Sequence, residues 1–223
     1  MSQKSDELIA HLKSIANPED VEEMQRFGIK GDKALGIRIP VLRKLAKAHR
    51  NDHQLAAALW TSGIHEARIL ASMVADPEQV TEGQMEAWVN DFDSWDLCDQ
   101  VCMNLFEKHP LAYEKAVEWS KREGEFVKRA GFAMMAVLAW HDKTADDGDF
   151  EPFFEQLQAG AQDERNFVKK AVNWALRQIA KGRPDLASHC VQLAEELAES
   201  ESKSARWVGK NALREFENKG IGA

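Results

Sequence analysis

Phe126-Val127-Lys128-Arg129-Ala130, Phe167-Val168-Lys169-Lys170-Ala171 and Trp207-Val208-Gly209-Lys210-Asn211 are three versions of one phrase. Their valines lie 41 and 40 residues apart. Five of the six prolines beat a similar time, at 40, 77, 110, 152 and 184, with intervals of 37, 33, 42 and 32. A period near 40 residues, made of two or three helices, is the signature of HEAT or armadillo-type stacking, in which each helix pair hides its apolar face against the next. The expected fold is all-α, a curved solenoid of antiparallel helix pairs forming a single α-helical repeat domain over residues 1–223. Function in such a fold belongs on the concave side.

Outward from these phrases, Ala, Leu, Glu, Lys and Gln fill the windows between breakers, and strand formers are scarce, with one Tyr in the whole chain. The pattern predicts thirteen helices, at 4–16, 18–26, 40–50, 52–61, 64–75, 81–91, 94–108, 110–121, 124–140, 150–159, 163–181, 184–199 and 202–217. Pro77 and Pro184 are read as helix starts, where a missing N–H costs nothing. Thr81-Glu82-Gly83-Gln84 has the spacing of a capping box, and Gly148 and Gly182 are read as helix-ending residues.

The chain of 223 residues is 44% hydrophobic and 30% charged, enough for a core and too apolar for disorder. Its start, MSQKSDELIAHLK, lacks the apolar stretch of a secretory signal. The longest apolar run, Ala130 to Trp140, is about half of the roughly 20 residues a membrane span needs, so it reads as a buried helix. A cytoplasmic monomer with no membrane contact is expected. Cys98, Cys102 and Cys190 read as buried small hydrophobes, and the seven His fall into no zinc spacing, so neither a metal nor another cofactor is expected.

The formal charge of -8 argues against an indiscriminate polyanion binder. Acid concentrates in Asp142 to Glu151 and in Glu195 to Glu201, whereas Arg38, Arg43, Lys44, Lys47, Lys128, Arg129, Lys169, Lys170, Arg177, Arg206 and Lys210 lie in helical segments between, which leaves room for a locally basic face. Three helices put charge at the margin of an apolar stripe when each residue is advanced by about 100°. Asp99 falls beside Trp95 and Phe106; Arg129 stands beside Ala133; Lys170 and Arg177 follow Phe167 and Trp174. Singly, each has an ordinary explanation: a Trp at a stripe edge packs the core, an Asp on a helix is solvated or ion-paired, and an Arg snorkels. Asp93 and Asp96 add further negative charge near Asp99.

Five phrases in order carry a resemblance: Gly36-Ile37-Arg38-Ile39-Pro40-Val41-Leu42-Arg43, His65-Glu66-Ala67-Arg68, Trp95-Asp96-Leu97-Cys98-Asp99, Lys128-Arg129-Ala130, and Phe167 to Arg177. Over residues from about 24 to 216 the chain resembles the bacterial HEAT-like alkylpurine DNA glycosylases, the AlkD family. The resemblance implies an active cleft of Trp95, Asp99, Arg129 and Trp174, the residues that the helical stripes also single out.

The chemistry expected of such a site is hydrolysis of the N-glycosidic bond of N3- or N7-alkylated purines in double-stranded DNA. Alkylation there makes the base cationic, a good leaving group without a general acid. A carboxylate at Asp99 would stabilise positive charge developing at the anomeric carbon and orient water. Trp95 and Trp174 offer indole faces to a cationic nucleotide, and Arg129 a grip on phosphate. Lys128, Lys169, Lys170, Arg177 and Lys210 are candidates for DNA-backbone contacts that carry no sequence information. The resemblance implies that the base need not be flipped into a pocket. Two other functions fit the same residues: a DNA-binding relative with feeble or lost catalysis, and a HEAT-like protein-binding scaffold.

Overall fold

Prolines and short polar side chains open the helices. Asn17 accepts from the Glu19 N–H at 3.1 Å and is followed by Pro18 at the first helical position; Asp52 accepts from Leu55 at 3.0 Å and Thr81 from Gln84 at 3.2 Å. In a computed structural model that describes residues 3–222, thirteen α-helices result, and no strand among the described residues. Most connections between helices are short, as stacked pairs require, and the longest without a turn of helix is residues 27–38, between the second and third helices.

The chain divides into two compact units, Met1–His109 and Pro110–Ala223. The first contains α1 (Gln3–Ser14), α2 (Pro18–Arg26), α3 (Ile39–Ala46), α4 (His53–Thr61), α5 (His65–Val74), α6 (Glu82–Asn90) and α7 (Trp95–Asn104). Helices α3, α5 and α7 pack in succession, with α4 against α5 and α1 against α4. Trp60 of α4 lies flat on Trp88 of α6, ring centroids 3.9 Å apart, and its indole N–H donates to Asp91 at 2.8 Å, so a large apolar ring is buried with its one polar atom satisfied.

The second unit contains α8 (Ala112–Ser120), α9 (Glu125–His141), α10 (Glu151–Gly160), α11 (Asn166–Gly182), α12 (Ala187–Ala198) and α13 (Lys203–Lys219). Each even-numbered helix packs on the odd one that follows, and α9, α11 and α13 pack on one another in that order. The three versions of the repeated phrase are thus the starts of three neighbouring helices. In α13 the phrase lies about one turn deeper, because that helix begins at Lys203. The long apolar run is the body of α9, buried continuously from Arg129 to Ala139. No helix among the described residues is long and apolar enough to cross a membrane.

The structure differs from the expected pattern at several boundaries. Pro77 and Pro184 open single 3-10 turns, Pro77–Gln79 and Pro184–Leu186, and the α-helices start at Glu82 and Ala187. Segments expected to run to 50 and 108 tighten into 3-10 turns at Lys47–His49 and Phe106–Lys108. Gly182 is the last residue of α11, but Gly148 lies inside the turn Asp147–Phe150, while α9 ends at His141 with Asp142 as its cap. The acidic stretch there is a built loop. The Asp142 carboxylate accepts from the Thr144 N–H at 2.9 Å and from the Tyr113 hydroxyl at 3.1 Å, and Arg183 donates to the carbonyls of Ala145, at 2.7 Å, and Asp142.

Candidate nucleic-acid interface

Trp95 is the first residue of α7 and Asp99 follows one turn later, so their Cβ atoms are about 6 Å apart on one edge of the helix. Both are partly exposed, whereas Leu97, Cys98, Val101 and Cys102 on the other side are buried. The Trp95 indole N–H donates to the Phe27 carbonyl at 3.0 Å, which fixes the ring over a cleft of about 340 Å³ walled by Met24, Phe27, Ile29, Ile37 and Ile69.

His65, Glu66 and Asp96 line the same cleft, and all three are committed to structure. Glu66 is 1% exposed and accepts from the backbone N–H groups of Leu35, Gly36 and Ile37 at 2.8, 2.7 and 3.2 Å, which pins the loop that precedes α3. His65 Nε2 is 2.8 Å from the Asp96 carboxylate. Burial works against the charge of His65, but the hydrogen bond and the attraction of Asp96 outweigh it and hold the imidazole above its ordinary value. Burial likewise opposes ionisation of Asp96, and the bond to His65 reverses that, holding the carboxyl below its ordinary value. Asp96 is therefore engaged by His65 in the wall of the cleft. Sequence reasoning missed this pair, although both members stood in quoted phrases, because nothing in a linear pattern matches residues 31 apart. Arg68 completes that phrase by donating to the Trp60 and Asp91 carbonyls at 3.4 and 3.3 Å and covering the Trp60 ring.

The other seven expected site residues belong to the second unit. Arg129, expected at a stripe margin, is 5% exposed, and its guanidinium donates to the Phe167 carbonyl at 2.5 Å, tying α9 to the first turn of α11. Lys128 is 3.1 Å from Asp163, which also takes two bonds from the Arg165 guanidinium, at 2.9 and 2.6 Å. The Arg165 bonds, with Lys128 behind them, hold the Asp163 carboxyl far below the usual range. Arg177 is 2.7 Å from Glu215 of α13, which Lys181 reaches at 3.0 Å. Burial raises Glu215 and these cations more than offset it, keeping the group ionised. Trp174 is partly exposed on α11; Lys170 and Lys210 are exposed; Lys169 stands over the Trp207 ring, 5.4 Å from its centroid. Two of the five expected DNA-contacting cations are thus already paired with carboxylates.

The first turns of α11 and α13 contain no acid, while Lys169, Lys170, Lys203 and Arg206 lie in their first two turns. A helix N-terminus is its positive end, where a cation costs about 0.3 to 1 kcal/mol. These residues do not stabilise their own helices. They concentrate positive charge at the positive ends of two neighbouring helices.

Comparison with known proteins gives the fold and the family. The chain resembles a solved structure described as "a new family of proteins related to the HEAT-like repeat DNA glycosylases with affinity for branched DNA structures", with a TM-score of 0.81, 18% identity, and coverage of 97% of this chain and 95% of that one. At that identity the likeness shows the fold, which is the HEAT-like repeat fold. An uncharacterized protein of Listeria innocua is 21% identical over 196 residues, covering 86% of this chain and 85% of its own. The model of the DNA alkylation repair enzyme family matches residues 8–216, nearly the whole chain, and the chain belongs to that family.

Proposed function

We propose that this chain is a monofunctional DNA glycosylase that binds double-stranded DNA and hydrolyses the N-glycosidic bond of N3- or N7-alkylated, positively charged purines. The observation that carries the proposal is the margin of α7, where Trp95 and Asp99 are one turn apart and partly exposed. The neighbouring Asp96 is committed to His65. In this reading the C1′–N bond breaks with its electron pair moving into the base, which neutralises the base's charge. Water adds to the anomeric carbon and gives up a proton, and Asp99 stabilises the oxocarbenium-like charge and orients that water. The indole face of Trp95 attracts the cationic nucleotide, by about 0.5 to 2 kcal/mol, and Trp174 offers a like face on α11 of the second unit. Arg129 acts as a positioning residue that fixes the first turn of α11, and Lys169, Lys170 and Lys210 meet phosphates.

A release assay on duplex DNA carrying N7- or N3-methylpurines tests this directly. Wild-type protein is expected to free the methylated base well above spontaneous depurination. Asp99→Asn is expected to lower the single-turnover rate at least about 100-fold, the usual loss when a fixed electrostatic stabiliser is removed, while duplex binding persists. No release by the wild type, or full activity in Asp99→Asn, would overturn the catalytic assignment.

The net charge of -8 and the pairing of Lys128 and Arg177 with acids favour a second reading, a DNA-binding relative that does not excise. It predicts salt-sensitive DNA binding with no base release from any alkylated duplex.

A further inference from the structure

We propose that the outer face of α13 is a binding site for single-stranded DNA, with Trp207 as the platform on which an unpaired base stacks. Lys203, Trp207, Lys210 and Arg214 recur at intervals of four, three and four residues and so form one stripe, about 16 Å long at 1.5 Å per residue. All four are exposed, and the opposite face, with Ala205, Val208, Gly209, Ala212 and Phe216, is buried. Folding therefore does not account for the stripe. Together with Arg206 and Asn211 these residues line a groove of about 510 Å³ that has no carboxylate in its wall.

Two details distinguish this groove from a merely solvated basic face. Trp207 is 38% exposed, an unusual place for a ring that buries so much apolar area when covered. Lys169, arriving from α11, stands over one side of that ring at 5.4 Å. Arg206 is also held: its guanidinium donates to the carbonyls of Ser200 and Glu201 at 2.7 and 2.8 Å. Those acceptors are neutral, so they orient the side chain and leave its charge uncompensated.

An exposed indole ringed by cations matches the chemistry of a single strand: phosphates along a positive groove, and a base whose face is free to stack. Paired bases inside a duplex have no such face. The natural occupants are a single-stranded segment or the unpaired nucleotides where strands branch. This inference rests on the nucleic-acid half of the reading above and is independent of its catalytic half.

Fluorescence anisotropy at low salt, on a blunt duplex, the same duplex with a short single-stranded overhang, and the isolated single strand, tests it. Wild-type protein is expected to prefer the overhang probe over the blunt one. Trp207→Ala is expected to lose about tenfold on the overhang and single-strand probes, the scale of one base–aromatic stack, and clearly less on the blunt duplex, which Lys169 and Lys210 meet through phosphates rather than through the ring. Trp207→Phe should retain most of the preference. A 2-aminopurine in the overhang should be quenched on binding wild type and not on binding Trp207→Ala, a signature of stacking that a loss of fold would not imitate. Equal overhang affinity in Trp207→Ala and wild type, or no overhang preference in the wild type, would overturn the site. The base-release assay on duplex is run on the same preparations. Retained release with no overhang preference sinks only this proposal, and overhang preference without release sinks only the catalytic one.

Discussion

His65 and Glu66 are adjacent at the start of α5, and each sets a buried polar side chain against a fixed partner. For Glu66 the partners are three backbone N–H groups, so its stabilisation does not depend on a second titrating side chain. For His65 the partner is Asp96, and pH matters. Because its pKa is raised above the unfolded value of 6.5, the folded state holds the proton more tightly than the unfolded chain. That contribution is complete below pH 6.5 and disappears as pH rises through the elevated native value. Asp96 is depressed below 3.8, so its contribution is present above that pH and disappears as pH falls through the native value. The pair therefore stabilises most between those limits. In urea denaturation at pH 6, Asp96→Asn is expected to cost about 3 kcal/mol, the scale of removing one partner of a buried pair. At pH 9 the gap between variant and wild type should narrow. A cost that is the same at both pH values would mean that His65 is neutral throughout.

At the scale of the helix, glycines in α9 and α13 let neighbouring backbones come close. A Cβ at Gly131 would lie 2.3 Å from the Ser120 backbone nitrogen of α8, and one at Gly209 would lie 2.4 Å from the Ala194 carbonyl oxygen of α12. Backbone cannot rotate away as a flexible side chain can. Helix propensity alone favours Gly→Ala by about 1 kcal/mol, yet forcing two helices apart typically costs about 1 to 3 kcal/mol. Gly131→Ala and Gly209→Ala are expected to lower Tm by several degrees, and Gly83→Ala, where the nearest atom is the Thr81 hydroxyl at 4.0 Å, to leave it unchanged or raise it. A higher Tm in all three would show that packing at Gly131 and Gly209 is looser than described. Much of this level was legible in the sequence. The repeated phrase located α9, α11 and α13, and the Thr81 phrase located the start of α6, whereas Pro77 and Pro184, read as helix starts, open 3-10 turns. The 3-10 turns after Ala46 and Leu105 were not legible, because an apolar pattern continues through a tightened turn as it does through an α-turn. Arg129 was placed at a margin because helical counting within α9 contains no information about the Phe167 carbonyl of α11. Trp207 was visible only as part of the repeat, and its exposure depends on which face of α13 meets α12.

For the molecule as a whole, the balance of 29 Lys and Arg against 37 Asp and Glu conceals which charges are available to a polyanion. Asp163 and Glu215 are held ionised by Lys128, Arg165, Arg177 and Lys181, so each acid is shared by two cations and offsets half of their charge locally. Among the described residues, Lys170 and Lys210 are exposed and make no ion pair. A cation that displaces counterions from duplex DNA contributes about 0.9 to the slope of log affinity against log salt concentration, and a cation already neutralised by a carboxylate contributes nothing. Lys170→Ala and Lys210→Ala are each expected to flatten that slope by about one unit on an unmodified blunt duplex. Lys128→Ala should leave the slope unchanged and instead lower Tm, because it strips a partner from Asp163. Titrations over a range of salt concentrations decide between the groups. Equal slopes for Lys210→Ala and wild type would remove α13 from the duplex contact. A flattened slope in Lys128→Ala would mean that Lys128 leaves Asp163 for a phosphate, and that the positive surface is larger than the unbound protein displays.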